Sequence, residues 1–307
     1  MSLPSSKGGT IRPMSNPYTA EKSAKVRWSV PLEERFLHTA DGQTIYATRR
    51  GTGDIAVVVA HGITGGHKHG SHARILGWLE KYFQVIAIDQ RGHGQSSGTC
   101  TLSHLEVQDV DAAIDWAKEL GAKKVVLIGF SMGAASVVRT AALATLQNEN
   151  KEFPLYDQGL VVKNIPDAVV TIGGVSHWWY RGSRNMRMMH LAVKYRFGQK
   201  FLEKSGRVRF GENTWPDERA IDRTIIQPLD PADSVAVIAK RPLLIIQGKY
   251  DDYFPRHHGD KLAERASQVQ GSKSEYWFET EMGHAESAVT EVLIDRIAAW
   301  IKKSVDA

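Results

Sequence analysis

Short apolar runs rich in β-branched residues alternate along this chain with stretches of helical periodicity. The runs are TIYATRR (44–50), IAVVVAH (55–61), FQVIAID (83–89), KVVLIGF (124–130), DAVVTIG (167–173), PLLIIQG (242–248) and EYWFET (275–280). A run such as IAVVVAH has no polar face, which is the pattern of a strand covered on both sides. Between the runs, Leu102, Leu105, Val110, Ala113, Ile114, Ala117 and Leu120 recur at threes and fours. So do Val289, Val292, Leu293, Ile297 and Trp300 near the C-terminal end. The alternation predicts an α/β fold, a mostly parallel central sheet of about eight strands flanked by helices.

One segment breaks the rhythm. Between TIGGVSHWWY and PLLIIQG no strand is evident, and residues 186–204 read as helical, with Met186, Met189, Val193, Phe197 and Phe201 along one stripe. We expect a helical cap inserted over the sheet edge at about 175–232, within a domain spanning 28–307. Residues 1–27 are polar and rich in Ser, Pro and Gly, and read as a flexible arm without the apolar middle of a secretory signal. No apolar run is long enough for a transmembrane helix, and no membrane association is expected. The sole cysteine, Cys100, cannot form an internal disulfide, which fits a cytoplasmic setting. The net charge of +5 is unevenly placed. Arg181, Arg184, Arg187, Lys194, Arg196, Lys200, Lys204, Arg207 and Arg209 cluster around a single acid, Glu203. Such a cluster greets an anionic substrate or is a solvated helix face. Without an aromatic-interleaved nucleic-acid fold, it does not imply nucleic-acid binding.

The stretch GFSMG, Gly129 to Gly133, lies where a strand ends and a helix begins. A turn so tight lifts the Ser131 hydroxyl above the sheet, while the helix aims its free N–H groups at chemistry beside it. A serine needs a base to become a nucleophile. His284, in EMGHAES after the last strand, has the required position; His177, His190, His257 and His258 do not, and are expected to be exposed or to belong to the cap. An imidazole needs a carboxylate to hold its tautomer, and KYDDYFP offers both Asp251 and Asp252. A tetrahedral oxyanion needs preorganised donors, one of which is the Met132 N–H at the corner. The loop GGHKHGSH (65–72) is histidine-rich but lacks a carboxylate or cysteine frame, so no metal is expected.

The order Ser131, Asp251, His284 resembles that of the α/β-hydrolase superfamily. Three further stretches share the resemblance: G-x-x-D-x-x-x-P at Gly248, Asp251 and Pro255; H-G-x at His61, Gly62 and Ile63; and D-x-R-G-x-G-x-S from Asp89 to Ser96. It covers about residues 35–305 outside the cap. It implies Asp251 as the acid, with Asp252 the alternative, and the Ile63 N–H as second oxyanion donor, with Thr64 nearby. His61 then serves as a structural hydrogen-bonding residue, and Arg91 and His93 as parts of a loop beside the site. Related dehalogenases and epoxide hydrolases carry aspartate at the corner, and dienelactone hydrolases cysteine. Serine implies acyl transfer without a cofactor, with a small-molecule acyl substrate that is anionic if the basic cluster faces it. Trp178, Trp179 and Tyr180 follow a strand end, where they form an aromatic wall of the site or anchor the cap. A carboxylesterase is the leading expectation. Thioesterase, peptidase and carbon–carbon bond hydrolase chemistry share the same apparatus, and a non-catalytic ligand-binding member of the fold is the contrasting class.

Overall fold

The computed structural model describes residues 32–68, 70–204, 208–211 and 228–306. The expected arm at 1–27 lies outside the described residues. The strands are β1 (Glu33–His38), β2 (Thr44–Arg50), β3 (Ile55–Ala60), β4 (Gln84–Ile88), β5 (Lys124–Phe130), β6 (Ala168–Ile172), β7 (Leu243–Gly248) and β8 (Ser274–Glu279). They form one sheet in the order β1-β2-β4-β3-β5-β6-β7-β8. From β4 to β8 all pairings are parallel, whereas β1–β2 and β2–β4 are antiparallel. β1 was not expected from the sequence. EERFLH is half charged and mostly exposed, because an edge hairpin has one wet face and little apolar signal.

Helices α1 (Gly70–Leu79), α2 (Glu106–Glu119), α3 (Met132–Asn148), α6 (Pro231–Ile238), α7 (His257–Ser267) and α8 (Glu291–Val305) cover the sheet. Alternation in the strands sorts the core into two layers. Val58 and Leu127 pack with α2, α3, α6 and α7, while Val57, Val59, Val126 and Ile128 pack with α1 and α8. Each fully buried Val, Leu or Ile is worth roughly 1.5–3 kcal/mol, so the doubly covered strands β3 to β7 hold the fold and the edge hairpin leans on them. The periodicity overreached at two helix starts. Leu102 and Ser103 have φ of 55° and 78°, outside any helix, and Val289 precedes α8. Beneath α3, the Arg139 guanidinium and the Asp157 carboxylate form an ion pair with neither side chain exposed.

The segment expected as one helix over 186–204 is two, α4 (Arg184–Lys194) and α5 (Arg196–Lys204). Ser183 caps α4 by accepting the Met186 N–H at 3.1 Å. Tyr195 is extended (φ −101°, ψ 132°), which ends α4 and turns the next helix. The stripe therefore splits. Val193 is buried and Met189 packs beside it, but Phe197 and Phe201 are 85% and 70% exposed. No helix among the described residues is long and apolar enough to cross a membrane.

Candidate active site

Ser131 stands at the junction of β5 and α3 with φ 52° and ψ −114°. A side chain rarely adopts this backbone region. The turn is fixed by the Ser131 N–H, which donates to Ile172 O of β6 at 3.0 Å. It is tight enough that a Cβ on Gly133 would lie 2.6 Å from the Ala60 carbonyl carbon and 2.7 Å from His61 O. Only glycine lets the first turn of α3 pass the end of β3 at that separation.

Three residues distant in sequence converge at the C-terminal ends of the strands. His284 Nε2 lies 2.9 Å from Ser131 Oγ, and His284 Nδ1 lies 2.8 Å from Asp251 Oδ2. Asp251 is held in turn: its Oδ1 accepts the N–H groups of Tyr253 (3.0 Å) and Phe254 (2.8 Å), and Gln247 Nε2 donates to Oδ2 at 3.3 Å. The Tyr253 ring stacks on His284 at 4.6 Å between centroids. Asp252 is exposed and joins none of this; it lies at the cavity wall. Gly173, which sequence reasoning overlooked, sits under the pair with φ 58°. A Cβ there would meet Asp251 Oδ2 at 3.2 Å and His284 Nδ1 at 3.5 Å. The glycine pair following DAVVTI was the available signal.

Ile63 and Met132 both line the cavity above Ser131, and among the described residues neither backbone N–H has an acceptor. Their carbonyls are anchored. His93 Nε2–H donates to Ile63 O at 2.6 Å, and Ser103 Oγ donates to Met132 O at 2.6 Å. Thr64 lines the same wall. His61 has a structural place: its Nδ1–H donates to Gly62 O at 2.7 Å and its Nε2 accepts the Gln90 N–H at 3.1 Å. Burial, with His93 and His72 nearby, pushes its pKa well below the ordinary value and keeps it neutral. Arg91 bridges Asp109 and Asp41 beneath the loop. His67, in the histidine-rich loop, pairs with Asp89 at 2.9 Å; His69 lies outside the described residues. Among the described residues no group of three His, Cys, Asp or Glu side chains could hold a metal.

The cavity measures about 650 Å³. Trp178, Trp179 and Tyr180 line it, as do Met186, Met189 and Val193 of α4, so the front half of the expected stripe faces substrate space. His177 and His190 also stand in the wall. His258, expected to be exposed or in the cap, is instead fully buried in α7. Its ring stacks on His177, its Nδ1 accepts the Ser176 N–H at 3.1 Å, and burial beside His257 and His177 pulls its pKa down to about 3. The sequence signal was absent: HH opens an amphipathic helix, and periodicity alone does not say which imidazole turns inward. Glu286, also unforeseen, lines the cavity two residues beyond His284, and its Oε1 accepts the Gly62 N–H at 2.6 Å.

Against known proteins, residues 57–293 match the model of a family described as the alpha/beta hydrolase family. The human protein named Serine hydrolase BPHL is 26% identical over 249 residues, covering 76% of this chain and 75% of that protein. Its mouse counterpart is 24% identical over the same shares. Among solved structures, the Pyrococcus furiosus esterase Pf2001 aligns with a TM-score of 0.63 and 21% identity, over 89% of this chain and 91% of that one. At that identity the structural likeness speaks for the fold.

Proposed function

This chain belongs to the alpha/beta hydrolase family, and on that premise we propose that it is a serine hydrolase cleaving carboxylic esters through an acyl-enzyme. The observation that carries the reading is the unbroken chain of contacts from Ser131 Oγ to His284 Nε2 (2.9 Å) and from His284 Nδ1 to Asp251 Oδ2 (2.8 Å). His284 Nε2 takes the hydroxyl proton as Oγ attacks the ester carbonyl carbon. Asp251 keeps the imidazole in the Nδ1–H tautomer and stabilises the imidazolium. The carbonyl oxygen becomes an oxyanion between the Ile63 and Met132 N–H groups, donors that need no reorganisation as the charge develops. The C–O bond breaks, the alcohol leaves with the proton from Nε2, and an acyl-Ser131 ester remains. Water, deprotonated by the same imidazole, attacks that ester and frees the acid and the serine. Nucleophile, base and oxyanion donors all come from the chain, so the chemistry calls for no cofactor. The cavity volume suits a small-molecule acyl substrate. We place the reaction in the cytoplasm, in keeping with a single, buried, unpaired Cys100.

The test is a fluorophosphonate probe together with p-nitrophenyl esters of short acids. The folded protein should label at Ser131 and release p-nitrophenol, and Ser131→Ala should lose both. Full turnover by Ser131→Ala would overturn the mechanism.

A further inference from the structure

Among the described residues the basic cluster of the cap is absent from the cavity wall; Arg207 lies outside them. Arg184, Arg187 and Lys194 of α4 and Arg196, Lys200 and Lys204 of α5 are absent from the cavity wall, where α4 contributes Met186, Met189, His190 and Val193. Arg181, Arg187 and Lys194 instead border a second, smaller hollow of about 230 Å³ that shares His190 with the cavity; they line that hollow and not the cavity. Among the described residues the cavity wall contains two carboxylates, Asp252 and Glu286, and no lysine or arginine. In a chain of net charge +5, that is a sorting by position and not a matter of supply.

Glu286 is placed close to the chemistry. It sits on the 3₁₀ turn Ala285–Ser287 that directly follows His284. A Cβ built on Gly62 would be 3.2 Å from Ser131 Cβ and 3.3 Å from both Glu286 oxygens, so the carboxylate and the nucleophile flank the same glycine. One oxygen is held by the Gly62 N–H. Among the described residues the carboxylate has no ion-pair partner, and its second oxygen accepts no hydrogen bond. An uncompensated negative charge beside a developing oxyanion raises the barrier of the reaction. A positive charge on the substrate, seated against Glu286, removes that penalty. Aromatic side chains also line the cavity: Trp179 and Tyr180, beside Trp178, Tyr250 and Tyr253, whose rings already meet Arg139, Lys249 and His284. Ring faces attract ammonium groups. Asp252 adds negative charge nearer the solvent and draws cations inward.

From this we propose that the substrate carries a cationic group, an ammonium held between Glu286 and the aromatic wall while Ser131 attacks its ester. The proposal rests on the serine hydrolase reading above and replaces the anionic substrate expected from the basic cluster. The cation belongs to the acyl part or to the alcohol part, and matched isosteres separate the two. On the acyl side the pair is the p-nitrophenyl esters of 4-(trimethylammonio)butyrate and 5,5-dimethylhexanoate. On the alcohol side it is butyrylcholine and 3,3-dimethylbutyl butyrate. The p-nitrophenyl monoester of glutarate serves as the anionic control.

In at least one pair, kcat/KM should favour the cationic member by roughly ten- to a hundredfold, the size of an interaction with a charged group in a shielded site. The preference should shrink as salt is raised, and the anionic ester should be the poorest substrate. Glu286→Gln keeps an acceptor for the Gly62 N–H and removes the charge. It should lower the cationic-to-neutral ratio of kcat/KM by roughly tenfold. Should that variant fold poorly, phenyltrimethylammonium and 3,3-dimethylbutanol are compared by calorimetry on the unaltered protein, where only the cation should bind at millimolar concentration. No cationic preference in either pair, or a preference unchanged in both Glu286→Gln and Asp252→Asn, overturns the proposal. Absence of fluorophosphonate labelling at Ser131 overturns the hydrolase reading instead, and the calorimetric result stands apart from it.

Discussion

Replacing Gly133 by alanine tests whether the corner is as close as it looks. The added methyl carbon would lie 2.6 Å from the Ala60 carbonyl carbon and 2.7 Å from His61 O, and nearer still to the Ala60 oxygen. All three are main-chain atoms at the end of β3, so no side chain can swing aside. Ordinary contact requires α3 and β3 to part by about 1 Å, an overpacking that costs about 1–3 kcal/mol. The same gap separates Met132 on α3 from Ile63 on the loop after β3. Opening it takes one N–H out of hydrogen-bonding range of the oxyanion, and losing one such donor lowers kcat by about 10²–10³. The assay is steady-state hydrolysis of a p-nitrophenyl ester beside thermal denaturation. Gly77→Ala on α1, where a Cβ meets nothing within 4 Å, is the control and should hold or raise stability by up to about 1 kcal/mol. A Gly133→Ala protein with parental kcat and melting temperature would refute this account of the elbow.

Asp251→Asn should fold normally, because Asn can still accept the Tyr253 and Phe254 N–H groups, yet lose about 10⁴ in kcat through the wrong imidazole tautomer; Asp252→Asn should show no such loss. Asp157→Ala strands the buried Arg139 guanidinium and should cost about 3–5 kcal/mol in denaturant titration. His258 has a folded pKa lowered to about 3 from 6.5. Its contribution is complete above the unfolded pKa and is lost as pH falls below 6.5, because only the unfolded chain then takes up the proton. Between pH 7 and pH 5 this amounts to roughly 2 kcal/mol, and His258→Gln should flatten the pH dependence of the melting temperature over that window.

The strands that cross the middle of the sheet were legible because both of their faces are buried and their sequences are accordingly apolar from end to end. β1 was not, since an edge strand with Glu33, Glu34 and Arg35 owes its conformation to pairing with β2 and not to its own residues. Ser131 and His284 could be placed from local grammar alone: a strand, a cramped turn and a helix for one, a loop after the last strand for the other. Asp251 and Asp252 could not be separated on that basis. The difference between them is a pair of backbone N–H groups, at Tyr253 and Phe254, which bond one carboxylate and leave the other in solvent. The cap misled for a related reason. Periodicity continues through Tyr195, but that one extended residue rotates α5 relative to α4, so Met186, Met189 and Val193 face the cavity and Phe197 and Phe201 do not. The basic cluster left two readings open, because composition counts cations along the chain and does not say which side chains turn inward; those of α4 and α5 are absent from the cavity wall.

The positive φ at Ser131 has a meaning for the history of this chain. Glycine would sit at φ 52° with less strain than serine does. A lineage that no longer needed the hydroxyl could therefore drift toward a sturdier protein by a single codon change at this one position. Keeping a hydroxyl at this corner carries a backbone strain that glycine would relieve.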